Sequence, residues 1–142
     1  MTTARPPIIM FKGRYLGIAV LVSAQVIIGF IHVVFGFWLL SASAAPLAGI
    51  ASFGPEVYSV YTVVFSLLTL TFASLLWLQS RWGWLGTMTV SVFVIAADSL
   101  TLLNLPSIPG IPKFAGFGEI TYSIIVILYL LQSHIEKAYR IP

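Results

Sequence analysis

Cysteine is absent from this 142-residue chain, and only 8% of its residues are charged. The first absence excludes disulfides, thiolate metal centres, iron–sulfur ligation and any thiol-based redox relay. The second excludes a soluble fold, because a water-exposed domain carries about 25% charged residues and so few could not cover its surface. Also missing are a P-loop, a GxSxG elbow and an HExxH zinc motif, so no catalytic constellation is in view and an enzyme is not expected. The formal charge of +3 comes from seven Lys/Arg against four Asp/Glu. These charges gather at the ends of apolar runs and form no basic-aromatic surface, which excludes nucleic acid as a partner.

What fills the sequence instead is apolar: 59% of residues are hydrophobic. The length fits one domain. A spanning helix needs about 20 predominantly apolar residues, and four segments qualify, at 15–43, 57–79, 84–105 and 117–134. Between them the turn chemistry predicts outer loops at 44–56 and 106–116 and an inner turn at 80–83. The third connection, from Pro106 to Pro112, is too proline-rich for helix and is expected to be extended. Arg5, Lys12 and Arg14 before an apolar run ending in Ala42, Ser43 and Ala44 imitate a signal peptide. That run far exceeds an h-region of about 7–15 residues, so it reads as a retained first helix.

Basic residues set the expected orientation. Arg5, Lys12, Arg14, Arg81, Lys137 and Arg140 fall on one side of a four-span chain, and Lys113 stands alone on the other. The bias predicts cytoplasmic N- and C-termini in a cell-membrane protein, with Lys12, Arg14, Arg81, Lys137 and Arg140 as topology anchors. Tyr15, Trp77, Trp82, Trp84 and Tyr139 would form the inner aromatic belt, and Trp38, Tyr58, Phe114 and Phe117 the outer one.

In lipid, helices associate through small residues and interhelical hydrogen bonds, so the small or polar stripe marks the inward face. Helix 1 offers Val22, Gln25, Gly29, His32 and Gly36, and helix 2 offers Ser59, Thr62, Ser66, Thr69, Ala73, Leu76 and Ser80. Helix 3 offers Thr87, Ser91, Val94, Asp98 and Thr101, and helix 4 offers Gly118, Tyr122, Ile125, Tyr129, Gln132 and Glu136. Spacings alternating between three and four predict an all-α, up-down-up-down, left-handed four-transmembrane-helix bundle.

Asp98 is the costliest residue in the chain, since a carboxylate near a helix centre costs on the order of 2.5–3.5 kcal/mol. Its depth matches that of His32, and an Asp98–His32 contact, direct or through water, is expected. Such a pair serves either to lock helix 1 to helix 3 or as a proton, metal or quinone site. Gln25 and Tyr122 would line a cavity beside it. Glu56 and Glu119, at the outer starts of helices 2 and 4, would complete an N/O metal site with His32 and Asp98. Helix N-termini favour negative charge and account for both glutamates without a metal. No cofactor is required by these residues; a quinone or a metal is the alternative.

Several short motifs resemble a loose family of small four-helix membrane proteins of archaea and bacteria. They are Arg5-Pro6, Lys12-Gly13-Arg14, Leu16-Gly17-Ile18, Leu76-Trp77, Arg81-Trp82-Gly83-Trp84, and the run from Ile127 to Leu131 followed by His134, Lys137, Ala138 and Tyr139. The resemblance implies four spans and a cytoplasmic Trp-rich turn, and carries over no catalytic residue.

Three functional expectations follow. The first is a non-catalytic subunit that packs against other membrane subunits and stabilises a larger enzyme of the oxidase or monooxygenase type. It is motivated by the lack of catalytic residues, the uncharged loop at 44–55 and the aromatic-rich outer faces. The second is a homo-oligomeric binder or transporter of a quinone, proton or small amphiphile, built on the His32/Asp98 pair. An enzyme acting on lipid substrates ranks third.

Overall fold

The computed structural model describes residues 10–11, 14–43, 53–108 and 113–140. A short antiparallel hairpin, β1 (Met10–Phe11) and β2 (Arg14–Tyr15), sets Met10 opposite Tyr15. Four long helices follow: α1 (Leu16–Ser43), α2 (Phe53–Trp77), α3 (Arg81–Leu102) and α4 (Lys113–Leu130). A short helix, α5 (Ser133–Ala138), closes the order. Each long helix is apolar and long enough to cross a membrane. Sequential neighbours pack on one another in an all-α up-down bundle, and the chain is a small four-span membrane protein. Residues such as Phe30, Trp38, Leu67 and Val92 point outward, as lipid-solvated helix faces do.

Local chemistry fixes the helix ends. Gln79 and Asn104 adopt left-handed backbone conformations, with φ of 56° and 59°. Behind Gln79, the Ser80 N–H bonds the Leu75 carbonyl and the Gln79 N–H bonds that of Leu76. Behind Asn104, Leu105 and Asn104 repeat the pattern on Leu100 and Thr101. Both are Schellman stops that satisfy the last carbonyls of α2 and α3. Ser80 then caps α3 through its hydroxyl, which accepts from the Trp82 N–H. Hence α3 begins at Arg81 rather than at residue 84, and the turn before it occupies 78–80. Through Ile108 the third connection is non-helical, and it folds back over α3: the Ser107 hydroxyl donates to the Ala97 carbonyl at 2.8 Å and accepts from Thr101 at 2.9 Å. The expected fourth helix is divided at Leu131–Gln132, where Gln132 turns extended and α5 starts.

Close approach at small residues aligns the spans. A Cβ on Gly29 would meet Leu70, one on Gly36 would meet Val63, and one on Gly83 would overlap the backbone of Leu75 and Leu76. On α2, Thr62, Ser66 and Thr69 are buried while their hydroxyls bond carbonyls of their own helix. That stripe therefore works through its small volume rather than through bonds across the interface. Between α3 and α4 a single register runs along the seam. Trp84 lies against Leu130, its indole N–H donating to the Leu130 carbonyl at 3.0 Å, and Asp98 lies against Gly116. Ser91 and Ser123, both buried, stand midway at seven-residue steps from each pair.

The inward faces of α1, α2 and α3 are the expected ones, but that of α4 is not. Ile125 is 60% exposed and Gln132 is exposed, while Gly116, Ser123, Val126 and Leu130 are buried; of the expected stripe, Gly118 and Tyr122 line an interior space. The tyrosines and Gln132 made the neighbouring stripe look more polar, yet Val126 and Ile125 are equivalent to lipid and only packing separates them. The aromatic belt needs a correction as well. Trp82 is exposed, but Trp84 and Tyr139 are interior, and the Tyr139 hydroxyl donates to the Leu76 carbonyl at 2.6 Å. Around them Ile18, Leu21, Val22, Ala73, Leu76, Val126, Leu130 and Ile135 form the hydrophobic core at one end of the bundle.

Candidate functional site

The other half of the bundle is not filled. A cavity of about 230 Å³ lies between all four helices. It is lined by Gln25, Ile28 and His32 of α1, by Phe65, Thr69 and Phe72 of α2, by Thr87, Val90, Ser91 and Val94 of α3, and by Gly118, Glu119, Tyr122 and Ser123 of α4. Counting about 1.5 Å per residue, His32 stands roughly 24 Å along α1 and Asp98 roughly 26 Å along α3, so both are far from the closed end. Gly118 marks the cavity's mouth: it lines the space, is exposed, and nothing lies within 4 Å of where its Cβ would be.

The polar groups around this cavity are unusually short of partners. Gln25 Oε1, Thr87 Oγ1, the Tyr122 hydroxyl and both carboxylate oxygens of Asp98 are buried with no hydrogen-bond partner from the protein. An orphaned buried polar atom costs about 1–3 kcal/mol, and a charged one more. Native interiors rarely tolerate one, and here three, on Gln25, Thr87 and Tyr122, belong to residues that line the one cavity. Asp98 is 1% exposed, Thr87 2% and Gln25 5%, so lipid-side water does not relieve them.

Glu119 connects the two residues singled out in the sequence. Its Oε1 lies 3.8 Å from His32 Nε2. The same carboxyl also faces Asp98 at side-chain hydrogen-bonding range. Two ionised carboxylates have no donor between them, so the bond forms only when one holds a proton. No direct His32–Asp98 bond occurs among the described residues; the two meet through Glu119. Asp98 is held there by α3's packing on Gly116, whose Cβ position is 3.4 Å from that of Asp98.

The imidazole is fixed as well. Its Nδ1 lies 2.8 Å from the Ile28 carbonyl. A carbonyl only accepts, so Nδ1 carries the hydrogen, and Nε2 is the nitrogen that gains or loses a proton facing Glu119. The Phe65 ring meets the imidazole edge-on at 5.9 Å, which sets its plane. Three proton-accepting positions thus lie in a row, with Glu119 between His32 Nε2 and Asp98.

The remaining candidate residues fall as follows. Gln25 and Tyr122 line the cavity. The Glu56 side chain lies outside the described residues, and among those that are described no group of three His, Cys, Asp or Glu is set to hold a metal. Lys12 also lies outside them. Arg14, Arg81, Lys137 and Arg140 belong to segments at the closed end, where Tyr15 stacks edge-on against His134 at 5.1 Å. Lys113, at the other end, bonds Asn104 Oδ1. Sequence reading missed Ser123, Phe65 and Phe72 as lining residues. Ser123 was findable from its small size; the two phenylalanines resemble every other lipid-compatible aromatic in the chain.

No family model, curated protein or solved structure matches this chain. The small four-span architecture stands without a family assignment.

Proposed function

We propose that this protein is a membrane-embedded binder of a small molecule, with the four-helix cavity as its site and Asp98, Glu119 and His32 as its proton-holding group. The observation that carries this reading is the convergence of unpartnered buried polar atoms on one cavity. A bundle packed for stability alone would gain by bonding Gln25, Thr87 and Tyr122 to partners, whereas a ligand site leaves donors and acceptors waiting for an occupant. The termini are placed on the cytoplasmic side, following the basic bias, so the closed end faces the cytoplasm and the cavity lies in the outer half. The accessory-subunit reading draws on the uncharged loop, most of which lies outside the described residues. Outward aromatic faces suit lipid as well as a partner, so no specific observation favours it.

The missing cysteines make the test clean. Single cysteines at Ser91 and Ser123, inside the cavity, should react with a small membrane-permeant methanethiosulfonate reagent in lipid nanodiscs. Cysteines at Ser59 and Ser66, equally buried but outside the cavity, should react at least tenfold more slowly. Equal protection of all four would overturn the reading. In sealed vesicles of known sidedness, a cysteine at Lys137 should be reached only from the cytoplasmic face.

A further inference from the structure

We infer that the cavity takes a small organic cation, a primary to quaternary ammonium with an apolar or aromatic body, in exchange for one proton. This rests on the cavity being a ligand site and names what occupies it.

The charge balance of the site leads there. The Glu119 carboxyl lines the cavity and faces both the His32 imidazole and the Asp98 carboxyl, and no Lys or Arg lines the cavity. The nearest lysine on α4, Lys113, is held by Asn104. His32 Nδ1 is committed to the Ile28 carbonyl, leaving three positions for protons. With two protons among them the cluster is neutral; with one it carries −1. A bare charge in this setting is costly, so a proton leaves only when another positive charge arrives. A monovalent cation entering as one proton departs keeps the cluster neutral throughout, and no bond other than that O–H or N–H breaks.

The walls select the kind of cation. Among the described residues no three ligating side chains converge as a metal would need, and the space far exceeds a bare ion. Phe65, Phe72 and Tyr122 line the same cavity, and aromatic rings attract a cation most strongly where water is excluded. Gln25 Oε1, 5% exposed and unpartnered, is an acceptor for an N–H or a polarised N–CH₃ group. The mouth at Gly118 adjoins Glu119, so a cation entering there meets the carboxyl first. The titratable groups facing the cluster are His32 from α1, Tyr58 and Tyr61 from α2, Asp98 itself from α3, and Glu119 and Tyr122 from α4. Phenols ordinarily titrate near pH 10, so between pH 5 and 8.5 the exchanged proton belongs to the carboxyl–imidazole group.

The test is calorimetric titration of the full chain in phosphatidylcholine nanodiscs with benzyltrimethylammonium, which cannot itself donate a proton. Repeating it in buffers of different ionisation enthalpy counts the protons released. We expect about one per cation bound, and an apparent affinity rising about tenfold per pH unit while the free site holds that proton. Asp98→Asn and Glu119→Gln combined should abolish the proton release and weaken binding at least tenfold. Gly118→Trp should block binding and Gly118→Ala should not. The neutral analogue N,N-dimethylbenzamide should release no proton and bind at least tenfold more weakly. The wild-type proton count stands even if a variant fails to fold. Cation binding without proton release, equal binding of the amide, or no cation binding to a cavity that cysteine labelling finds accessible would each overturn the inference and leave the ligand site intact. Failure of the labelling would remove the site itself.

Discussion

Replacing glycine by alanine at three positions should move stability in opposite directions, although the chemical change is the same. At Gly83 the new Cβ would sit 2.7 Å from the Leu76 Cα and overlap the Leu75 and Leu76 backbone. Ordinary carbon contacts lie at about 3.5–4.0 Å, so α2 and α3 must separate by about 1 Å where they leave their shared turn. Overpacking of this kind costs about 1–3 kcal/mol, and backbone cannot rotate aside as a side chain can. At Gly116 the Cβ would meet that of Asp98 at 3.4 Å, a contact that needs little adjustment. At Gly118 it would meet nothing within 4 Å, leaving only alanine's better helix propensity, about 0.5–1 kcal/mol in favour. The expected order of stability is therefore Gly118→Ala above wild type, Gly116→Ala close to it, and Gly83→Ala about 2 kcal/mol below. Reversible unfolding in mixed detergent–SDS micelles, followed by tryptophan fluorescence and helical circular dichroism, measures all three. If Gly118→Ala lost as much as Gly83→Ala, helix spacing would not be what these glycines set, and the packing account would fail.

The closed end yields a second comparison. Trp84→Phe leaves the Leu130 carbonyl without the indole donor and should cost about 1–3 kcal/mol in the same assay. Tyr139→Phe should cost less, about 0.5–1.5 kcal/mol, because the Leu76 carbonyl still accepts from the Gln79 N–H at 3.1 Å. Equal losses would contradict this reading of the two bonds. Gln79→Gly should raise stability by up to about 1 kcal/mol, since Gln79 holds a left-handed φ of 56° that glycine adopts without penalty; a loss there would mean that its side chain makes an unrecognised contact. Gly86→Ala should press on the Phe72 ring, which borders the cavity, and so reduce ligand binding more than it reduces stability.

Hydropathy alone made the four spans legible, because length and apolar content are what lipid demands. The inward stripes of α1, α2 and α3 were legible for a different reason: Ser, Thr, Gly and Gln are scarce enough in a membrane helix to mark one face. On α4 that signal divides between Ser123 and the larger Tyr122 and Tyr129, and the choice went to the wrong side. Trp84 and Tyr139 were read as interfacial because their polar tips suit headgroups equally well; only the folded chain reveals that those tips find the carbonyls of Leu130 and Leu76. Asp98 and His32 drew attention by their cost in lipid. Glu119 was set near both of them by its place at the outer start of helix 4, but that it lies between them depends on how α4 meets α1 and α3, which no spacing within α4 encodes.

The seam between α3 and α4 makes the site depend on a residue count as much as on residue identity. Deleting any one residue between Trp84 and Asp98 would leave the span's hydropathy almost unchanged and Trp84 still engaged with Leu130. Everything beyond the deletion would turn by about 100° around the helix axis. Asp98 would leave Gly116 and meet acyl chains, at a cost on the order of 2.5–3.5 kcal/mol. The connection from residue 103 to residue 112 carries no such restriction, since lengthening it does not rotate either helix. Natural length variation should accordingly be absent from this stretch of α3 and tolerated in the loop that follows it.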